Sequence, residues 1–349
     1  MLAVGTAVAQ DATTEPTDEA TLEPIIEATS EATEAAGDTT PEPTIEVTSD
    51  VTPEATAEST LPPNTFTSFP GPGSYTVRQP YADMERSYRV YIPQSYSDEG
   101  DPFPMVLVLH GAGGTGAGTE GFTGFNDLAE TENFIVVYPD GVGNAWSDGR
   151  ASSGSETVND VRFLGDVVTF MQNALTIDPL RVYATGYSMG GMMSYRLGCE
   201  LPNRFAAVGS VASTMPAYLI PICTDTVPIP VIVFQGTDDS VIPWTGVRGA
   251  YLSAAQTIGY WGNHNRCTGE FVVESMPNTD PADYTVVMRQ VLTECEADVT
   301  LYGVYFGGHT WPGHPLDASL QLGQTTRDID ATALIWEFFK AHINTFESD

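Results

Sequence analysis

Residues 186–190 read Gly-Tyr-Ser-Met-Gly and place a single hydroxyl, Ser188, between two glycines, after the apolar run 182–184 and before a stretch of helical character. A serine presented on a tight strand-to-helix turn is exposed for nucleophilic attack on a carbonyl carbon. Side chains at 186 and 190 would collide with such a turn, and Gly191 lets the following helix pack closely. That helix would also aim its N-terminus at the developing negative charge.

A serine hydroxyl needs a base, and the chain has 5 histidines: His110, His264, His309, His314 and His342. His309 is favoured, because it follows the apolar run 299–306 and is preceded by Gly307 and Gly308, which would let the loop swing it toward Ser188. His314 is the nearest alternative, and His110 reads as a structural or oxyanion-loop residue. The imidazole in turn needs a carboxylate to orient it and to stabilise its positive form. Asp239 is favoured over its neighbour Asp238, with Asp225 and Asp298 less well placed. The order Ser188, Asp239, His309 is the one serine hydrolases of open parallel sheets show. Donors for a tetrahedral oxyanion are expected from the backbone N–H groups of Met189 and of Ala112, the latter in the glycine-rich stretch "HGAGGTGAG" at 110–118. That stretch is not a phosphate loop, since no Gly-Lys-Ser/Thr follows and no lysine precedes Lys340.

These groups need a scaffold. The runs 105–111, 134–141, 181–188 and 230–236 are short, β-branched and nearly continuous, as strands buried on both faces are, whereas 87–93 alternates like a half-buried antiparallel strand. Helical spacing marks 160–175, 189–201 and 329–343. The predicted fold class is therefore α/β, a mainly parallel sheet covered by helices on both faces, with chemistry in the loops beyond the strands' carboxyl ends.

The rest of the chain is of another kind. Of 349 residues, the first basic one is Arg78, while residues 11–60 carry 14 acids. Residues 11–65 are built from Thr, Glu, Ala, Pro and Ser and are expected to form a disordered acidic stalk, because they cannot bury enough apolar surface to offset ordering entropy. Residues 1–10 read as a signal-peptide remnant ending in Ala-Val-Ala, and residues 66–349 as the catalytic domain. With 46 acids against 13 bases, nucleic acid and anionic membrane are poor partners. No run reaches the roughly 18 apolar residues of a membrane helix. The four cysteines, Cys199, Cys223, Cys267 and Cys295, form no Cys-x-x-Cys pair. They allow three pairings, of which the sequential one closes two short loops and would suit a secreted protein; four free thiols are the alternative.

Together, "LHGAGG", "YPDG", "DVRFLGDVV", "VYATGYSMGGMMSYRLGCELPNRFAAVGSVA", "GTDDSVIPW", "WGNHNRC" and "GGHTWPG" resemble the polyhydroxybutyrate depolymerase and feruloyl esterase family of α/β-hydrolases over about residues 75–340. The resemblance implies Ser188 as nucleophile, Asp239 as acid, His309 as base, an oxyanion role near Ala112, and a Cys267–Cys295 pair. Gln235 stands where many relatives carry histidine. No polymer-binding module follows residue 349, so soluble or amorphous esters are the expected substrates.

The expectation is thus a secreted, monomeric serine esterase that needs no metal or organic cofactor and acts on short hydroxyalkanoate esters. Feruloyl or acetyl esters of plant polysaccharides are the alternative, and a non-catalytic surface-binding protein on the same fold is the second. An acyltransferase or peptidase would use the same triad. Trp146, Trp244 and Trp311 are expected to line the substrate site, and the segment 241–299 to set specificity.

Overall fold

A computed structural model describes residues 69–81, 84–149, 158–223, 227–314 and 320–345. The signal and stalk readings for 1–10 and 11–65 lie outside these residues, as does Asp225.

The continuous apolar runs form the middle of one ten-stranded sheet. In chain order the strands are β1 (Gly73–Tyr81), β2 (Met84–Ile92), β3 (Phe103–Leu109), β4 (Ile135–Pro139), β5 (Ile177–Tyr187), β6 (Ala207–Val211), β7 (Val231–Gly236), β8 (Phe271–Ser275), β9 (Val286–Leu292) and β10 (Val299–Tyr305). Their spatial order is β1-β2-β4-β3-β5-β6-β7-β10-β9-β8. The stretch from β4 to β10 is parallel throughout. The β1–β2 and β8–β9 ribbons extend it antiparallel at the two edges.

Side-chain alternation along β3 shows why the run is apolar at every position. Met105, Leu107 and Leu109 join one core with α3 (Asp160–Ala174), α4 (Met189–Glu200) and α5 (Ala254–His264), whereas Val106 and Val108 join a second core under α2 (Phe125–Glu132) and α6 (Ala331–Lys340). A further short helix, α1 (Gly116–Thr123), follows the glycine-rich loop after β3. The helices predicted at 160–175, 189–201 and 329–343 are α3, α4 and α6. Sequence periodicity did not mark α1, α2, α5, β1, β6, β8 or β9. β6 is built largely from small residues, Ala-Val-Gly-Ser-Val, and a Cβ on Gly209 would lie 2.8 Å from Thr185 Oγ1. Close neighbours rather than large apolar side chains therefore decide that strand.

The two sequential cysteine pairs are disulfides, Cys199–Cys223 and Cys267–Cys295. Among the described residues no helix is long and apolar enough to cross a membrane.

Candidate active site

Ser188 sits between β5 and α4 at φ 56° and ψ −119°, a left-handed backbone that costs a non-glycine residue on the order of 1–3 kcal/mol. Packing enforces it. A Cβ on Gly190 would lie 2.2 Å from the Leu109 carbonyl oxygen, and one on Gly186 would lie 2.4 Å from the Gly190 carbonyl carbon, so the turn seats directly on the end of β3. The Ser188 N–H donates to Val211 O at 2.8 Å, tying the elbow to β6 as well. Side-chain oxygens cap α1, α3, α5 and α6 through Thr115, Asn159, Ser253 and Asp330. No side chain caps α4, which leaves its first-turn amides for a ligand.

The structure brings Ser188, His309 and Asp239 together. Asp239 Oδ2 lies 2.8 Å from His309 Nδ1, and His309 Nε2 lies 2.9 Å from Ser188 Oγ. Because an ionised carboxylate only accepts, Nδ1 donates, and Nε2 is left to accept from the serine hydroxyl. Asp239 is 4% exposed and accepts three further bonds: from the Val241 and Ile242 N–H groups, each at 2.8 Å, and from Gln235 Nε2 at 3.0 Å. Gln235 also donates to Ile242 O at 2.7 Å, so a neutral amide braces the acid loop. Asp238 is exposed and accepts from Thr237 Oγ1, as a turn residue.

The loop carrying His309 is held by a strap at 322–324, with His309 N–H donating to Leu322 O at 2.7 Å and Gly308 N–H to Gln324 O at 2.9 Å. A Cβ on Gly308 would lie 2.1 Å from Leu322 O. Gly308 thus serves close approach to the strap rather than the freedom to swing that its sequence suggests. Tyr187 donates its hydroxyl to His309 O at 2.6 Å, and burial pushes that hydroxyl well above its ordinary pKa, with Asp239 adding to the shift.

Ala112 and Gly111 face Ser188 from the loop after β3; a Cβ on Gly111 would lie 3.3 Å from Ser188 Cβ. His110 anchors this loop. It is 1% exposed, its Nδ1 donates to Gly111 O at 2.8 Å, and its Nε2 accepts from Gly141 N–H at 2.9 Å. Both ring nitrogens are therefore used by the neutral ring, and burial lowers its pKa.

A cavity of about 450 Å³ opens at Ser188 and His309. Its apolar wall is Phe122, Tyr187, Val241, Leu320 and Leu322, joined by Gly111, Ala112, Gly114, Thr115, Gly118 and Thr119. None of the three tryptophans expected here lines it. Trp311 is fully buried against Phe122 and Phe125, with its Nε1 donating to Thr332 Oγ1 at 2.9 Å. Trp146 is fully buried beneath the His110 ring and donates to His110 O at 2.8 Å. Trp244 packs beside Tyr305 and against the core under α5. Each indole N–H of the two buried tryptophans finds its partner inside the fold, which is why their position near the motifs misleads. Of segment 241–299, only Val241 reaches the cavity. Tyr187 was findable, since it precedes the nucleophile; Phe122, Leu320 and Leu322 carry no local signal.

The other histidines lie elsewhere: His314 beside Asp330, His342 beside Asp298 and His264 beside Asn265. Among the described residues no group of three or more His, Cys, Asp or Glu is placed to hold a metal ion.

Residues 80–266 match the protein family "Esterase", described as "Putative esterase". "Putative esterase NocK" of Nocardia uniformis subsp. tsuyamanensis is 30% identical over 250 residues, spanning 66% of this chain and 72% of that one. "Feruloyl esterase C" of Emericella nidulans is 28% identical over 73% of this chain and 84% of its own length. "Feruloyl esterase B" of Piromyces equi is 29% identical, and the match spans 48% of this chain but only 33% of that protein. Among solved structures, "Acetyl xylan esterase from Aspergillus awamori" superposes with a TM-score of 0.50 at 18% identity, over 68% of this chain and 92% of that one. That likeness is one of fold.

Proposed function

This chain belongs to the Esterase family and is an α/β-hydrolase that cleaves carboxylic esters; from that premise we propose that Ser188, His309 and Asp239 are its catalytic residues and that its substrates are aromatic, feruloyl-type esters of sugars. In the proposed reaction Ser188 Oγ attacks the ester carbonyl while its proton passes to His309 Nε2, and Asp239 stabilises the imidazolium that forms. The N–H groups of Met189 and Ala112 receive the oxyanion. The alcohol departs with the proton from His309, and a water activated by the same imidazole then releases the acid.

The observation that carries the choice of acyl group is the cavity at Ser188. Its wall of Phe122, Tyr187, Val241, Leu320 and Leu322 is apolar and includes two aromatic rings, which suits an aryl acyl group. The names of the relatives support the same choice over hydroxyalkanoate esters, the leading expectation from the sequence. Two disulfides, with the small-residue end at residues 7–9, support secretion into an oxidising compartment.

The test is acid release from methyl ferulate, acetylated xylan and hydroxybutyrate oligomers, with Ser188→Ala beside the wild type. Ferulate release that dominates and disappears in the variant is expected. Hydroxybutyrate release of equal or greater kcat/KM would overturn the acyl assignment, and activity surviving in Ser188→Ala would overturn the nucleophile.

A further inference from the structure

A second cavity, of about 490 Å³, lies beside the first and shares Gly114 and Thr115 with it. We propose that this second cavity is the subsite for the sugar on the alcohol side of the ester, an inference that rests on the reading of the substrate as a sugar ester.

Its composition is the opposite of the acyl wall. In the β1–β2 ribbon Thr76 pairs with Arg89 and Arg78 with Ser87, which puts these four side chains on one face. That face lines the cavity opposite Thr115 and Asn144. No aromatic or large aliphatic side chain lines it, so its walls are hydroxyl, guanidinium, carboxylate and amide groups, which match a ligand rich in both donors and acceptors.

Much of the wall is preorganised. Ser87 Oγ donates to Asp140 Oδ2 at 2.7 Å, and Asp140 Oδ1 accepts from Gly116 N–H at 2.7 Å, which ties the ribbon to the start of α1. Arg89 is held by Glu120 and by Thr76 Oγ1, the latter at 3.1 Å. Arg78, by contrast, makes an exposed pair with Glu85 as its one ion pair among the described residues, of a kind that contributes little and is readily exchanged for a ligand. Charge decides the ligand class. Each guanidinium is matched by a carboxylate, Glu85 or Glu120, and Asp140 adds a third, so no net positive charge awaits a phosphate or a uronate. A neutral polyol fits; its aryl acyl group would lie at Ser188 and its ring beyond Gly114–Thr115.

The test compares methyl ferulate with a feruloylated arabinoxylan oligosaccharide in the full-length enzyme, the Arg78→Ala variant and Ala117→Trp, which fills the cavity from α1. The ratio of kcat/KM for the oligosaccharide to that for methyl ferulate should exceed one in the wild type and fall roughly tenfold in both variants, through KM, as expected for losing one or two hydrogen bonds. Calorimetric binding of the same oligosaccharide without ferulate to Ser188→Ala should weaken in the double variants carrying Arg78→Ala or Ala117→Trp. An unchanged ratio with unchanged sugar binding overturns the subsite while leaving the esterase reading intact. No hydrolysis of methyl ferulate overturns that reading instead, and the binding arm still decides the subsite.

Discussion

Replacing His110 by Phe tests whether the oxyanion loop is held by a neutral, buried imidazole. Phe keeps an aromatic ring over Trp146, whose centroid lies 4.7 Å from that of His110, but removes the bonds to Gly111 O and Gly141 N–H. Gly111 O keeps its bond from Gly114 N–H at 3.0 Å, so the partly buried Gly141 amide is the group left without a partner, which should cost about 1–3 kcal/mol. For a domain of this size that corresponds to a fall in Tm of roughly 2–12 °C. Burial lowers the folded-state pKa of His110, the Gly111 bond, Asp140 and Asp160 oppose that shift, and Arg86 reinforces it. Between that lowered value and the unfolded value of about 6.5, the unfolded chain binds the extra proton, so stability rises with pH across this window. The contribution is complete above about pH 6.5 and is lost as the pH falls toward the folded value, with a slope of at most about 1.4 kcal/mol per pH unit. His264, also lowered chiefly by burial, acts with the same sign. Asp298, lowered chiefly by its bond to His342, contributes stability that is complete above about pH 4 and is lost only below it, outside this window. Urea unfolding of wild type and His110→Phe from pH 5 to 7.5 should therefore show a shallower pH slope in the variant, beside its lower stability. Its kcat should also fall, by no more than the roughly 100- to 1,000-fold that one oxyanion donor supplies, with KM little changed. Identical pH slopes in the two proteins would refute the neutral-clamp reasoning, whatever the change in Tm.

Asp239→Asn should lower kcat by about 10⁴ and stability by about 1–3 kcal/mol, because the amide oxygen can still accept from Val241 and Ile242 while its NH₂ forces His309 into the wrong tautomer and faces the Gln235 NH₂; thermal unfolding beside steady-state kinetics checks both halves. Trp311→Ala should cost about 3–5 kcal/mol of stability by opening a buried cavity, and a soluble variant of normal Tm with raised KM would return Trp311 to the substrate site. Gly190→Ala should yield a misfolded or inactive protein, since its Cβ would lie 2.2 Å from the Leu109 carbonyl; purification and labelling with a fluorophosphonate probe read the outcome. Cys267→Ser with Cys295→Ser should lower stability by about 3 kcal/mol at unchanged kcat/KM, because that pair lies outside the lining of the cavity at Ser188.

What the sequence by itself determined is whatever depends on near neighbours along the chain. The burial of β3, β4, β5 and β7 on two faces shows in their unbroken apolar runs, and the elbow at Ser188 shows in glycines whose added Cβ atoms would strike the backbone of the same turn or of the adjacent end of β3. The order of Ser188, Asp239 and His309 was legible because each follows the carboxyl end of a recognisable strand. Tertiary structure alone decided which surfaces meet. Trp311 and Phe122 lie on either side of one aromatic contact, 6.0 Å between ring centroids, yet Phe122 lines the cavity and Trp311 belongs to the core. Leu322 reaches the site through a backbone bond to His309, and the polar cavity exists because the β1–β2 ribbon is laid against the loop after β3. An aromatic or aliphatic side chain carries the same transfer free energy whether it faces a core or a cavity, so only the elements packed over it determine which it does.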